Sequence, residues 1–278
     1  MQVTFGPQVA RRVLRYELDR LCAQAGKNHR QVGDRLGMSR VAFTHITSGR
    51  NLLSKPALEV LLDFVGRPDR LPLMLQLLAL AKSKSDQPAE SSVHDVELAV
   101  GLEGLAVHIE AFAPMTVHSL LQTQGYAREL IVHWEPGVDV ERNVALRLGR
   151  QSVLTRENPA ELWCVIEEQA LRRPIGDATV MAGQFDHLLE ITNRPNVTVQ
   201  VLPHDVGPHP ALKGAFVLLT IDDGWRVAYE VTRRSVHYHD LPEALDDYAT
   251  AMSHLRRLAL NPKRSRTFLA MLRKETRL

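Results

Sequence analysis

The chain has 278 residues, 45% hydrophobic and 24% charged, a composition that fits a globular protein of two domains and excludes a disordered or low-complexity one. Cys22 and Cys164 stand far apart without CxxC spacing, which excludes a disulfide framework and a cysteine-built zinc site. The net charge of +2 hides an asymmetry: residues 1–85 carry 14 Lys and Arg against 6 Asp and Glu, the rest 20 against 26, so a basic head on an acidic body points to a polyanion as the head's partner.

In chain order, Leu14, Leu18, Leu21 and Ala25 recur at steps of four and three and predict a first helix closed by Gly26. Asn28 is placed to cap a second helix (about 29–36) ended by Gly37, and Ser39 a third (about 40–47) that stops before Gly49. Ser54, with Pro56 in the first turn, opens a fourth helix carrying Leu58, Leu61, Leu62 and Val65, and a fifth runs over about 71–82. Its apolar run "LPLMLQLLALA" is too short to cross a bilayer, and no secretory leader is recognised, so a cytoplasmic, nucleoid-associated protein without a membrane partner is expected. The polar stretch "SKSDQPAESS" (83–92) reads as a linker. The expected division is therefore a head over 1–82, a linker over 83–96 and a body over 97–278.

In the body, "GLEGLAVHIEAF", "LLQTQGYARELI" and "VERNVALRLGRQSVL" read as helical. "ELWCVIEE", "NVTVQVLP", "AFVLLTI" and "WRVAYEV" are β-branched or aromatic-rich runs bounded by Pro, Gly and Asp, as strands are. The helical "TVMAGQFDHLLEIT" between the first two predicts a β-α-β unit, and two helices, about 242–259 and 262–274, close the chain. The expected fold class is an all-α head of about five helices followed by a mixed α/β body.

The stretch "GDRLGMSRVAFTHITSGR" (33–50) carries the most function. Val32, Leu36, Met38, Phe43 and Ile46 are the apolar residues that pack two helices across a turn, with Gly33 at the close approach and Gly37 where the turn needs a positive φ. Arg40, Val41, Thr44 and His45 then face outward. In register with these positions, residues 10–80 resemble a Cro/C1-type (XRE-family) helix-turn-helix, departing from it in Gly33 for the commoner Ala and in Thr47 where many members have Glu. The resemblance implies that the third helix enters the DNA major groove, with Arg40, Val41 and His45 facing bases. Arg40 suits guanine O6 and N7, Val41 a thymine methyl, and His45 a purine N7. Ser39, Thr44, Arg50 and Lys55 suit phosphates, as do His29 and Arg30 near the positive end of the second helix. Two heads on a near-palindromic double-stranded operator, hence a homodimer, are expected.

From about residue 97 the segments "LLQTQGYAREL", "RLGRQSVL", "VIEEQALRRPIG", "VMAGQFDHLL", "VTVQVLP" and "GPHPALKGAFVLL" resemble the C-terminal domain of unknown function of many actinobacterial regulators, the WhiJ-like group among them. His118 and Ser119 depart from the Pro-Gly usual there. The resemblance implies a transcriptional regulator, more often a repressor, whose body senses a ligand or docks a small protein encoded by a neighbouring gene. An antitoxin-like protein that neutralises a partner through its body is the alternative.

No catalytic constellation is found. Glu167 and Glu168 are adjacent, so on a strand they point to opposite faces and cannot act as a paired acid and base. They are expected in structural ion pairs, with Arg172 or Arg173 in reach. His237 and His239 share a strand face, and His204 or His209 could join them, but no third ligand is identifiable and no metal is expected. Ser119 and Ser235 lack a nucleophile elbow, and neither a Walker loop nor a GxGxxG follows a strand. No enzyme and no cofactor are therefore expected. Tyr126, Trp163, Phe216 and Tyr229 read as core aromatics. Gln122, Arg147, Gln151 and Gln184 interrupt apolar segments and mark either a partner or ligand pocket with its polar network, or exposed helix faces.

Overall fold

The structure, a computed structural model, describes residues 2–4, 7–47, 50–82, 102–134, 139–221, 224–232 and 235–276. The predicted linker 83–96 and Gly49 lie outside the described residues. Two units are distinguished: residues 1–102 with 231–240, and residues 103–230 with 241–278.

The first unit contains α1 (Pro7–Gln24), α2 (His29–Arg35), α3 (Arg40–Thr47), α4 (Lys55–Phe64) and α5 (Leu71–Lys82). Leu14, Leu18 and Leu21 of α1 bury the stripe their spacing predicts, with Val32, Phe43, Leu58, Leu61, Leu62 and Met74 in the same core. Each fully buried side chain of this size contributes about 1.5–3 kcal/mol. Polar ties complete the bundle. Arg11 Nε donates to the Ala81 carbonyl at 3.0 Å, satisfying one of the open carbonyls at the end of α5. The buried Glu17 carboxylate takes Arg20 at 2.7 Å and Arg70 at 3.2 Å. This unit also holds a strand that the sequence reading does not anticipate: β1 (Gln2–Thr4) pairs in parallel with β7 (Ser235–His239), Val3 opposite Val236.

The second unit is built on a sheet of β2 (Ala106–Ala113), β3 (Glu161–Glu167), β4 (Val197–Leu202), β5 (Phe216–Ile221) and β6 (Arg226–Val231), in the order β6-β5-β2-β3-β4. Strands β2, β3 and β4 are mutually parallel, and β5 runs antiparallel to both β2 and β6. The parallel connections carry α6 (Gln124–Trp134) and α7 (Val140–Gly149), then α8 (Glu168–Arg172) and α9 (Ala178–Ile191), the second being the predicted β-α-β unit. One sheet face presents Phe112, Val165 and Phe216 to Met252 and Leu255 of α10 (Pro242–Leu258).

The helical reading of "GLEGLAVHIEAF" is overturned. Only residues 102–105 are helical, and Ala106–Ala113 is β2, in the middle of the sheet between β3 and β5. Its wet positions, exposed His108 and half-buried Glu110, are too few to mark a strand, and Leu102, Ala106, Ile109 and Ala113, all buried, happen to recur at helical spacing.

The outer edge of β4 is covered by α11 (Pro262–Glu275) and the residues before it: Val201 N–H donates to Ser265 Oγ at 2.9 Å, and Leu260 N–H donates to the Val201 carbonyl at 2.9 Å. Among the described residues no helix is long and apolar enough to cross a membrane.

Candidate nucleic-acid interface

Local chemistry sets the two helices of the motif. Asn28 caps α2 by accepting from Gln31 N–H at 3.0 Å, while the Gln31 side chain accepts from Asn28 N–H at 2.9 Å, a reciprocal capping box. The far end closes on Gly37 at φ +65°, with Met38 N–H on the Gly33 carbonyl (2.8 Å) and Gly37 N–H on that of Asp34 (3.2 Å), the Schellman pattern. A Cβ on Gly33 would lie 3.0 Å from the Met38 carbonyl oxygen, so the close approach expected at this glycine is made with the turn itself. Ser39 then caps α3, its hydroxyl oxygen accepting from Ala42 N–H at 3.1 Å.

With eight residues, α3 buries Phe43 and Ile46 together with Thr47, whose hydroxyl donates to the Thr44 carbonyl at 3.3 Å. Its other side is left outward: Arg40 and Thr44 are exposed, Val41 is 65% exposed, and His45 is half-buried. Arg40, Val41, Thr44, His45 and Arg50 together line one shallow concavity of about 370 Å³. Five residues selected from sequence thus meet on one surface. Between Asp34 and Glu59 the chain has no carboxylate but carries Arg35, Arg40, Arg50 and Lys55, so the field over this surface is positive.

The phosphate-directed residues differ in what they can offer. The Ser39 oxygen accepts within the cap, leaving its proton for a phosphate oxygen. Thr44 Oγ1 donates to the Arg40 carbonyl at 2.9 Å, so its hydroxyl must turn before it can serve a phosphate. Lys55 and Arg30 are exposed. His29 is engaged elsewhere: Nε2 lies 3.2 Å from Asp19 Oδ1, and its ring meets Phe43 edge-on at 5.4 Å, tying α2 to α1 and α3. Burial raises the Asp19 carboxyl above the usual range, and His29 acts against that rise.

In the body, the structure brings Gln122, Arg147, Gln151 and Gln184 together around the loop 117–123. Gln184, fully buried on α9, accepts from Thr123 N–H (2.8 Å) and donates to the Leu121 carbonyl (2.7 Å). Gln122 donates to the Val117 carbonyl at 2.7 Å and accepts from Arg147 at 3.1 Å, while Gln151 donates to the Gln122 carbonyl at 2.7 Å. Apart from the Gln122 oxygen, which takes Arg147, the bonded groups of these amides are spent on loop backbone. Beside them lies a buried group that the sequence reading misses: Glu103 takes Arg150 through both carboxylate oxygens at 2.8 Å and the Tyr229 hydroxyl at 2.5 Å. Near this group burial holds the His118 imidazole down to about pKa 4 against the pull of Glu103, and its Nδ1 accepts from Leu120 N–H at 3.3 Å.

Glu167 and Glu168 are engaged separately. The first ends β3 and pairs with His209 at 3.4 Å, and the second starts α8 and pairs with Arg172 at 2.6 Å. Burial alone would raise the Glu168 carboxyl, but the Arg172 hydrogen bond and the His204 N–H outweigh it and hold it low. Among the described residues no three His, Cys, Asp or Glu converge as a metal site.

A capped helix pair that turns outward a carboxylate-free surface bearing Arg40 and Arg50 defines the class: this is a helix-turn-helix protein, a DNA-binding regulator. Comparison agrees, since a family described as "Helix-turn-helix domain" matches residues 14–72. The family described as "Domain of unknown function (DUF5753)" matches residues 96–271, and the chain belongs to it. Neither the curated proteins nor the solved structures give a match.

Proposed function

We propose that the protein is a sequence-specific repressor of the Cro/C1 (XRE) type that binds operator DNA as a homodimer, and that its body takes a small partner protein or ligand which modulates DNA binding. The observation that carries this reading is the convergence of Arg40, Val41, Thr44, His45 and Arg50 on one positive concavity, with Val41 turned 65% to solvent. An exposed valine between cations suits a groove floor bearing thymine methyls, and Arg40 is the bidentate reader of guanine. Ser39, Thr44, Arg50, Lys55 and Arg30 set the register on phosphates. His29 contributes by holding α2 in place. One short helix makes few base contacts, which is why two heads about one DNA turn apart are assigned. Coupling to the body works if the partner binds the DNA-competent and incompetent forms with different affinity. We assign the body no catalysis, a reading supported by the separate engagement of Glu167 and Glu168. Actinobacterial regulators of the WhiJ-like group are its proposed kin.

Fluorescence anisotropy on the DNA upstream of its own gene, beside a scrambled duplex and across a salt series, tests the proposal. Arg40→Ala is expected to cost about 1–3 kcal/mol on the native sequence and little on the scrambled one. Equal weak binding of both duplexes, unchanged by Arg40→Ala, overturns it.

A further inference from the structure

The end of the chain is a basic segment in an acidic body. Residues 256–278 carry eight Lys and Arg and one Glu, a net of +7, whereas residues 86–255 carry 12 against 25, a net of −13. Several of these cations are spent inside the unit. Arg256 pairs with Glu110 and sits 3.9 Å over the Trp163 ring, Arg266 donates to Thr192 Oγ1 at 2.7 Å, and Arg273 pairs with Asp186 at 2.7 Å. Arg257, Lys263, Arg264 and Lys274 are exposed, and no carboxylate partners them among the described residues.

Helical geometry sorts the remainder. At about 100° per residue, Lys263, Arg264, Thr267, Met271 and Lys274 fall within one stripe about 100° wide. All five are exposed, while Ser265, Leu269 and Leu272 on the opposite side of α11 are buried. The stripe spans about 16 Å from Lys263 to Lys274. Within it Met271 is 39% exposed, and Phe268, one turn before it, is half-buried with the Arg172 guanidinium 5.6 Å over its ring. An apolar centre with a cationic rim is the anatomy of a protein-binding patch, and methionine adapts its shape to what it meets.

We propose that this stripe of α11 docks a short acidic, amphipathic segment of a partner protein, an apolar side chain of the segment seated on Met271 and its carboxylates on Lys263, Arg264 and Lys274. The assignment rests on the reading of the body as a partner-binding domain. A nucleic-acid duplex fits less well: its backbone offers nothing apolar to Met271, and it would extend past the stripe along a unit whose sequence is otherwise predominantly acidic. A segment of the stripe's own length stays within a few screening lengths of the three cations.

The test uses the full chain with ¹³C-labelled methionine methyls, the Met271 resonance being assigned by Met271→Leu. It is titrated with a synthetic Glu/Leu peptide of about four helical turns patterned as an amphipathic helix, with a scrambled peptide of the same composition, and with a short non-operator duplex. The patterned peptide is expected to shift Met271 and to bind about tenfold more weakly to Lys263→Glu/Arg264→Glu/Lys274→Glu, a variant whose melting temperature stays that of the parent. The scrambled peptide is expected to bind less tightly. Equal affinity of the triple variant, equal affinity of the scrambled peptide, or a Met271 shift produced by the duplex alone overturns the proposal. Movement confined to Met115 or Met181 overturns the stripe while leaving the body a docking domain. No movement at any body methionine overturns the stripe and counts against the body reading as well.

Discussion

Glu103→Gln is the most informative single change in the body. The Glu103 carboxylate is 1% exposed and holds Arg150 by Nε at 3.0 Å and Nη2 at 2.8 Å, with the Tyr229 hydroxyl donating to Oε1, an oxygen that Nη2 also reaches. The Arg150 side chain is itself only 10% exposed. Glutamine keeps the shape but removes the charge, so a guanidinium largely away from water loses the Glu103 anion. Breaking a buried pair in this way costs about 3–5 kcal/mol. For a unit of this size that lowers the melting temperature by roughly 6–20 °C. Trp134, Trp163 and Trp225, the three tryptophans of the chain, all lie in the second unit, so tryptophan fluorescence follows its unfolding apart from that of the head. Glu103→Leu/Arg150→Met, which removes both charges, is expected to cost less than the two single changes together. A Glu103→Gln cost under about 1 kcal/mol, or additive single and double costs, would refute the argument from uncompensated charge.

Three further outcomes are expected. Gly37→Ala, at φ +65°, is expected to destabilise the head by about 1 kcal/mol, and Gly33→Val by more, because its Cβ falls 3.0 Å from a backbone carbonyl; urea titration followed by circular dichroism reads both. Gln184→Met leaves Thr123 N–H and the Leu121 carbonyl without their buried partner and is expected to cost about 2–4 kcal/mol in the tryptophan-monitored transition. Because the folded His118 titrates near 4 and the unfolded one near 6.5, the unfolded chain binds the extra proton between these values. Stability of the body therefore falls as pH drops from 6.5 to 4, by on the order of 3 kcal/mol from this group. His118→Asn, which retains an acceptor for Leu120 N–H, is expected to flatten that part of the profile; an unchanged slope would place the proton elsewhere.

The head is legible in the sequence because its signals are local. Asn28, Ser39 and Ser54 cap the helices they precede, and Gly37 turns the chain where its missing Cβ permits. The outward face of α3 follows by subtraction once Phe43 and Ile46 are placed inside. The body is legible only in part. Strands β3 to β6 show β-branched runs, but β2 is hidden: only His108 and Glu110 mark its wetter face, and its buried residues mimic a helix. Strand β1 has three residues, too few for any periodicity. Gln122, Gln151 and Gln184 stand out as polar residues in apolar segments, yet that they brace a loop depends on partners such as Leu121 for Gln184, 63 positions away. Glu103 and Arg150 are separated by 47 positions, and the charge of either alone reads as surface.

The sealing of β4 constrains how the body can be recruited. With Val201 bonded on both its outward groups by Ser265 and Leu260, this border of the sheet offers no template at that residue for a foreign strand to zip onto. A visitor at Val201 must read side chains rather than backbone, and specificity there becomes a matter of shape and charge. The same helix serves as a stopper: without the first turn of α11 and Leu260 before it, that border would be open at Val201 to edge-to-edge pairing between copies, while the outer side of α11 stays available for company.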